Sequence, residues 1–347
     1  MHFSMFATSA HGLKYRERGL PCQDSSSTLE FDGVQAIAVA DGHGGKDYLR
    51  SDSGSRFAVK IFFEQIKIFC RNITAGENFS DAGIRNFLFT VCNEWRKAVL
   101  NDWRENPFST DEPRWASVSD KYKARFTSTD EKILAQYVPV AYGTTLLGAL
   151  SIGSQVLLIQ IGDGTCVILQ RNGEFKVPVP IDSENFFNVT TSLCEVDAVS
   201  KFRHVVLNCD ENSPLAPVAI FLSSDGLDDC YPIFENETWL YKLYAGTIID
   251  SLIENGFALT REAVRDDLLP YMTEHGSNDD ISLAYMVPYD KNLLQRTLQR
   301  NAILAKEKMA DEISAKILEM QPQIAEQTAK VREGLTERRN AERIEKS

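Results

Sequence analysis

The most informative stretch of the chain is Val34-Gln-Ala-Ile-Ala-Val-Ala-Asp41-Gly-His-Gly-Gly45. A compact run of mostly apolar residues ends at an aspartate, and three glycines follow within four positions. This pattern is typical of a buried strand whose backbone turns sharply at its tip and holds a carboxylate there. The stretch therefore predicts a sheet with a functional carboxylate at one strand end.

Aspartates recur in four more short segments, and most of these adjoin an apolar, β-prone run: Gln23-Asp24, Gly162-Asp163-Gly164, Ser224-Asp225-Gly226 and Asn278-Asp279-Asp280. Carboxylates gathered from strand ends suit hard cations such as Mg²⁺ or Mn²⁺. Each aspartate taken alone is explained equally well as a turn residue or a surface acid. As a set, they indicate a metal-dependent enzyme.

Length and composition describe a globular protein. The 347 residues are 43% hydrophobic and 25% charged, enough to bury a large core. The net charge of −12 argues against a general nucleic-acid partner, which needs a basic surface. The seven cysteines include no Cys-x-x-Cys pair, which favours a reduced, cytosolic protein. No signal peptide and no apolar run of membrane-spanning length is evident, so no membrane partner is expected.

The order of the predicted elements indicates an α+β protein. Helical periodicity over 46–137, interrupted by a polar loop or flap at 106–130, follows the first strand. Closely spaced strands come next, and later helices precede a last strand at 281–287. The strands are expected at 144–150, 155–161, 166–170, 175–179, 202–209 and 218–223, and the later helices at 237–255 and 261–273. Two packed antiparallel sheets with helices outside would bury all these runs.

The composition changes after Pro288. Residues 290–347 hold twelve basic and ten acidic residues, whereas the remainder is strongly acidic, with a net charge of −14. Apolar residues there recur close to a helical period, and Pro322 is expected to kink or restart the helix. We expect a catalytic domain at 1–289 and a charged helical extension at 290–347. The extension either forms a solvated helical hairpin that packs on the domain or dimerises, or it is a partner-binding or autoregulatory tail.

The ordered set of motifs resembles the PPM/PP2C family of metal-dependent serine/threonine protein phosphatases. The motifs that carry the resemblance are Asp41-Gly-His-Gly-Gly45, Gly143-Thr-Thr-Leu146, Ile161-Gly-Asp163, Ser223-Ser-Asp-Gly-Leu227 and Asp279-Asp-Ile-Ser282. The likeness covers roughly 7–288. The opening, from Ala10-His11 to Gln23-Asp24, is similar to the bacterial branch of the family.

The resemblance implies an αββα sandwich with two Mn²⁺ or Mg²⁺ ions between the sheet ends. Asp41 would bridge the ions, with the Gly42 carbonyl on one of them. The other implied ligands are Asp225 and Asp279 on the second ion, Asp24 through water, and Asp163, with Asp225, on a weaker third ion. A hydroxide held by both metals would then attack phosphorus directly, without a covalent enzyme intermediate.

The family pattern also suggests a general acid and a phosphate clamp. His43 is the candidate that protonates the leaving alkoxide, although a lone histidine is otherwise a structural hydrogen-bonder. Arg16 and Arg18 are both candidates for binding the phosphoryl group, and neither matches the family spacing cleanly. Gln23 stands where the family commonly has glutamate, and Asp280 stands where asparagine is common.

The sequence therefore predicts a cytosolic phosphatase that acts on phosphoserine or phosphothreonine in proteins. A cognate Ser/Thr kinase or the targets of that kinase would supply the phosphorylated partner. Two alternatives stay open. One is a pseudophosphatase that binds phosphoproteins without turnover, and the other is a scaffold whose C-terminal helices form its main interface.

Overall fold

The structure, a computed structural model, describes residues 2–71, 79–180 and 190–345. It contains two five-stranded antiparallel sheets. The first has the order β1-β10-β9-β6-β7, with β1 Phe3–Ala10, β6 Thr165–Gln170, β7 Phe175–Lys176, β9 Pro217–Ser223 and β10 Ile281–Pro288. The second has the order β2-β3-β4-β5-β8, with β2 Ser25–Phe31, β3 Val34–Ala40, β4 Leu146–Ile152, β5 Gln155–Ile161 and β8 Arg203–Asn208.

Helices cover the outer face of each sheet. The helices before β4 are α1 Leu13–Arg16, α2 Ser51–Arg71, α3 Asp81–Glu105, α4 Asp120–Phe126 and α5 Glu131–Ala141. The later helices are α6 Ala198–Lys201, α7 Asp225–Asp228, α8 Asn236–Leu243, α9 Asp250–Glu254, α10 Phe257–Ala263, α11 Leu269–His275 and α12 Lys291–Glu345. Short π-helical segments at Tyr244–Ile249 and Val264–Leu268 join α8 to α9 and α10 to α11.

Three apolar clusters lie between the four layers. Along β3, Ala36 and Ala38 face the cluster beneath α2 and α3, whereas Ile37 and Val39 face the cluster between the two sheets. Residues of β10 alternate in the same way between the intersheet cluster and the one beneath α8–α11. Alternate side chains of a strand point to opposite faces, so a run that is apolar throughout is explained by burial on both faces. The expected αββα sandwich is confirmed.

Several expected elements differ from the structure. β1 and β2 are strands that the sequence did not identify, since neither has a continuous apolar run. The polar region at 106–130 was expected to be a loop, but it contains α4. The expected strand at 175–179 is limited to Phe175–Lys176. The helices expected within 46–137 are present, and residues 72–78 of that region lie outside the described part of the chain.

The chain divides into two units, Met1–Leu298 and Gln299–Ser347. The first holds both sheets and the start of α12, where Leu294 is fully buried. The second is the remainder of α12, which continues through Pro322 without a break. The expected helical hairpin is therefore wrong. Within the described residues, no helix combines the length and apolar character needed to cross a membrane.

Candidate active site

The two sheets bring their aspartate-bearing strand ends to one place. In the second sheet, Asp24 directly precedes β2 and Asp41 directly follows β3. In the first sheet, Asp225 follows β9 at the start of α7, and Asp279 lies just before β10. Antiparallel neighbours β2–β3 and β9–β10 place the start of one strand beside the end of the other. Each sheet therefore contributes two of the four carboxylates.

The backbone of Asp41 is held firmly by the chain that leads into β4. Its N–H donates to Thr145 Oγ1 at 2.9 Å, and its carbonyl accepts from the Thr145 N–H at 2.8 Å. The Thr144 hydroxyl donates to the same carbonyl at 2.8 Å. These contacts use only main-chain atoms of Asp41, so they fix where its carboxylate stands without occupying it.

Glycine is required next to Asp41 because other backbone passes too close for a side chain. A Cβ on Gly42 would lie 2.6 Å from the Gln23 carbonyl oxygen and 2.6 Å from the Ser51 carbonyl oxygen. At Gly162 the backbone has a φ of +104°, and a Cβ there would lie 2.4 Å from Thr145 Cγ2. The glycines of both motifs are thus explained by packing around the strand ends.

The carboxylates repel one another strongly. Burial, followed by the negative charges of Asp24 and Asp225, raises the pKa of Asp41 well above its usual range. Burial raises the pKa of Asp225 to about 6; the nearby charges of Asp163 and Asp279 also raise it, whereas a hydrogen bond with Asp41 opposes the shift. A hydrogen bond between two carboxyl groups needs a shared proton, so without a cation this pair favours holding a proton between its two members.

Asp24 lies beneath the others and is almost fully buried. Burial and the charge of Asp280 raise its pKa well above the usual range, although the nearby hydroxyls of Ser224 and Ser282 oppose this. Among the described residues, neither carboxylate oxygen has a partner with hydrogen-bond geometry. A buried, unpartnered carboxylate is costly unless a cation, a proton or water balances it.

A cavity of about 360 Å³ opens over the cluster. Most of the expected site residues line it, together with Lys14, Tyr15 and several uncharged residues. The full lining is Lys14, Tyr15, Arg18, Asp41, His43, Gly44, Gly45, Thr145, Asp163, Thr190, Asp225 and Asp279. The structure distinguishes the two arginine candidates for phosphate binding. Arg18 lines the cavity, whereas Arg16 forms an exposed ion pair with Glu274, at 2.7 Å, outside it.

Two of the carboxylates already have partners. The ammonium of Lys14 forms an ion pair with Asp279, and the Thr190 hydroxyl donates to Asp163. Within 2–71, 79–180 and 190–345, no three His, Cys, Asp or Glu side chains are arranged so that they could hold a metal ion as they stand. The donor set nevertheless fits hard cations, because it is all oxygen, its members repel each other and the Asp24 carboxylate has no hydrogen-bond partner among the described residues.

His43 lies at the wall of the cavity. Its main-chain N–H donates to the Gly143 carbonyl at 3.1 Å, and its ring is 4.7 Å from that of Tyr48. Its buried Nε2 has no hydrogen-bond partner in the part of the chain that the structure describes. Burial lowers the pKa of His43 to about 4, so the imidazole is neutral at pH 7. It can protonate a leaving group only if bound anionic substrate raises that pKa.

From the sequence, no functional role was assigned to three residues that the structure places at or beside the site: Lys14, Arg114 and Asp280. The Asp280 carboxylate accepts the N–H of Gly12 at 2.6 Å and that of Gln23 at 2.7 Å. An asparagine at 280 could accept both N–H groups only through its single oxygen. We therefore call Asp280 a structural clamp, since it holds Gly12 and Gln23 at once.

Arg114, from the expected flap, donates to the carbonyls of Gly44 (2.7 Å) and Gly45.

Gln23 connects Arg114 to the backbone of Gly42 and His43, directly after Asp41. With the amide oriented to match donors to acceptors, its nitrogen donates to the carbonyls of Gly42 at 3.0 Å and His43 at 3.1 Å. Its oxygen then accepts from Arg114 Nη1 at 3.1 Å. A glutamate could not donate to those carbonyls, which explains the amide at this position. No signal in a single sequence reveals contacts of this kind.

Comparison with protein families gives a match over most of the chain. The family model described as protein phosphatase 2C matches residues 11–256. Among curated proteins, none matches the chain.

Solved structures share the fold at low sequence identity. A C. elegans sex-determining protein is 12% identical with a TM-score of 0.53, covering 86% of this chain and 68% of that one. A bacterial serine phosphatase is 14% identical with a TM-score of 0.49, covering 82% of this chain and 97% of that one. The catalytic domain of the serine/threonine phosphatase PstP, in complex with two manganese ions, is 15% identical with a TM-score of 0.45, covering 82% and 99%.

Proposed function

Because the chain belongs to the protein phosphatase 2C family, we propose that it hydrolyses phosphoserine and phosphothreonine in proteins with the help of divalent metal ions. One observation carries the proposal. Both sheets deliver mutually repelling carboxylates to a single cavity whose wall also holds cationic side chains. Such a site binds metal cations at its floor and a phosphoryl group above them.

We assign the metal ligands as follows. Asp41 and the Gly42 carbonyl would hold one ion, Asp41, Asp225 and Asp279 would hold the second, and Asp24 would act through water. Asp163 would serve a weaker third ion. Two Mn²⁺ or Mg²⁺ ions at such a site supply an activated water and stabilise charge on the attacking and leaving oxygens.

The remaining side chains act on the substrate. Arg18 and Lys14 line the cavity and would bind the phosphoryl oxygens, Lys14 after release from its ion pair with Asp279. His43 holds the proton for the leaving serine or threonine oxygen, with a pKa raised by the phosphate charge. The side chain of Arg114 supports the Gly44–Gly45 turn from behind, and so acts on the substrate only through that turn.

A metal-by-substrate assay tests the proposal. Purified protein is supplied with Mn²⁺ or Mg²⁺ and with phosphoserine, phosphothreonine or phosphotyrosine peptides. We expect metal-dependent release of phosphate from the first two, lost in Asp41→Asn and Asp225→Asn and kept in Asp250→Asn, which removes an acid outside the cavity. Full activity in Asp41→Asn would overturn the two-metal assignment.

A pseudophosphatase is the alternative from another class. The complete set of carboxylates, together with cationic side chains at the same cavity, favours turnover. Stoichiometric Mn²⁺ binding without any phosphate release would support the binding-only role instead. Cytosolic location and a cognate kinase partner stay predictions, which fractionation and co-purification would address.

A further inference from the structure

The second unit of the chain exposes a line of apolar side chains with a regular spacing. Ile303, Ala310, Ile317, Ile324 and Val331 follow one another at intervals of seven residues along α12. The four larger ones are each more than half exposed. A strict seven-residue repeat on a helix is the pattern of a left-handed coiled coil, in which these residues take position a.

Position d is filled in the centre of the same helix. Ile313 and Met320 fall there and are also more than half exposed, so the stretch from 310 to 324 is apolar at every a and d position. We call this face the seam. Lys306, Gln327 and Gly334 occupy the outer d positions, so the apolar contact is concentrated in the middle. Pro322 falls at position f, on the face opposite the seam.

The composition of the helix favours a second copy of itself as the partner. Residues 299–345 hold nine basic and nine acidic side chains, so two copies meet without net repulsion. All a positions except Ala310 are β-branched, as in two-stranded parallel coiled coils, whereas isoleucine at d, which favours three or more strands, occurs only at Ile313. A lone helix with this much apolar surface in water gains stability by burying it.

We propose that α12 pairs with α12 of a second chain as a parallel, two-stranded coiled coil along the seam. The contact is self-complementary, since the same residues on both copies meet in each layer. Lys330 already pairs with Glu326 within one helix, at 2.6 Å, on its charged surface.

Molar mass of the full chain tests the pairing. We expect light scattering after gel filtration to give twice the 39.0 kDa of one chain. The double substitution Ile317→Lys and Ile324→Lys should return the mass to one chain. The matched control, Leu318→Lys and Ala325→Lys, adds the same charges one residue along, at position b, and should keep the double mass.

Three outcomes would overturn the pairing: a wild-type chain of single mass, a seam variant that stays double, or a control variant that dissociates as well. Phosphatase activity measured on the same samples separates this inference from the proposed function. Both variants should keep their turnover per chain, since neither replaces a residue that lines the cavity.

Cross-linking tests the parallel arrangement. In a parallel pair, the two copies of residue 324 face each other, so Ile324→Cys should form a covalent dimer on mild oxidation. Wild-type protein, with its seven free cysteines, and Leu318→Cys are the controls and should stay largely uncross-linked. A dimer by mass in which Ile324→Cys fails to cross-link would overturn the parallel pairing.

Discussion

Lys14 and Asp279 form an ion pair that joins α1 to the residues just before β10, inside the cavity over the carboxylate cluster. The same Asp279 is a metal ligand in our proposal. In that proposal, one carboxylate would have two competing cationic partners, an internal ammonium and an external metal ion. Lys14 contacts one of its two oxygens, so a metal ion would compete with the ammonium there.

Replacing Lys14 with methionine should separate these two roles. We expect Lys14→Met to bind Mn²⁺ roughly fivefold more tightly, since a partly exposed ion pair contributes about 1 kcal/mol. The KM for a phosphopeptide should rise, because a phosphate-binding cation is lost. Titration calorimetry and steady-state kinetics measure both. Arg16→Met is the control, since it removes a positive charge from the exposed pair with Glu274; unchanged metal affinity in Lys14→Met would contradict the competition.

The two arginine candidates give a direct comparison. Arg18→Met should raise the KM for a phosphopeptide about tenfold and change kcat little, because a charged hydrogen bond to the phosphoryl group contributes roughly 1.5 kcal/mol or more. Arg16→Met should change neither, since Arg16 does not line the cavity. The reverse result would exchange their roles.

His43 should matter most where the leaving group needs a proton. We expect His43→Gln to slow hydrolysis of a phosphoserine peptide by about 100-fold. Hydrolysis of nitrophenyl phosphate should slow much less, since nitrophenolate leaves without protonation. Equal losses on the two substrates would assign His43 a structural role instead.

The pKa of His43 also predicts a pH dependence. Burial places it at about 4, below the ordinary value of 6.5, so the folded protein resists protonation there. Since the unfolded chain takes up that proton first, the contribution of His43 to stability is lost as the pH falls from about 6.5 towards 4. In His43→Gln, urea unfolding should lose that part of its pH dependence.

Gln23→Glu tests the side-chain amide that links Arg114 to the backbone of Gly42 and His43. A carboxylate there would face the carbonyls of Gly42 and His43 without a hydrogen to donate, which should cost about 1–3 kcal/mol of the free energy of unfolding. Burial raises the folded pKa of such a glutamate above its unfolded value, so the loss should grow as the pH rises. Urea unfolding at pH 5 and pH 8 measures it, with Gln23→Met as the uncharged control. A loss that does not change with pH would contradict this explanation.

The fold was predictable where the sequence carries continuous patterns. The apolar runs of β3, β9 and β10 are buried on both faces, so their sequences leave little choice of structure. β2 was not predictable, because it is an edge strand with a polar sequence and becomes a strand by pairing with β3. Tertiary pairing, which local propensity does not record, decides such a strand.

The candidate site, like the fold, was predictable only in part. Its aspartates were predictable, since each adjoins a strand end and recurs in family order. The cationic side chains that contact one of those aspartates and the turn after Asp41 were not. Lys14 and Arg114 reach the site from a four-residue helix and from a polar loop region, and only the folded chain brings them near residues 265 and 70 positions away. Separations of that size leave no local pattern.

The Asp280 clamp has a consequence for how this protein varies. One carboxylate holds both ends of the segment from Gly12 to Gln23, the segment that carries Lys14, Tyr15 and Arg18 into the cavity. Its interior can therefore change in content or length while its two ends stay anchored to the sheets. A chain built this way can alter what it recognises in a phosphorylated substrate without rebuilding the site that would carry out the reaction.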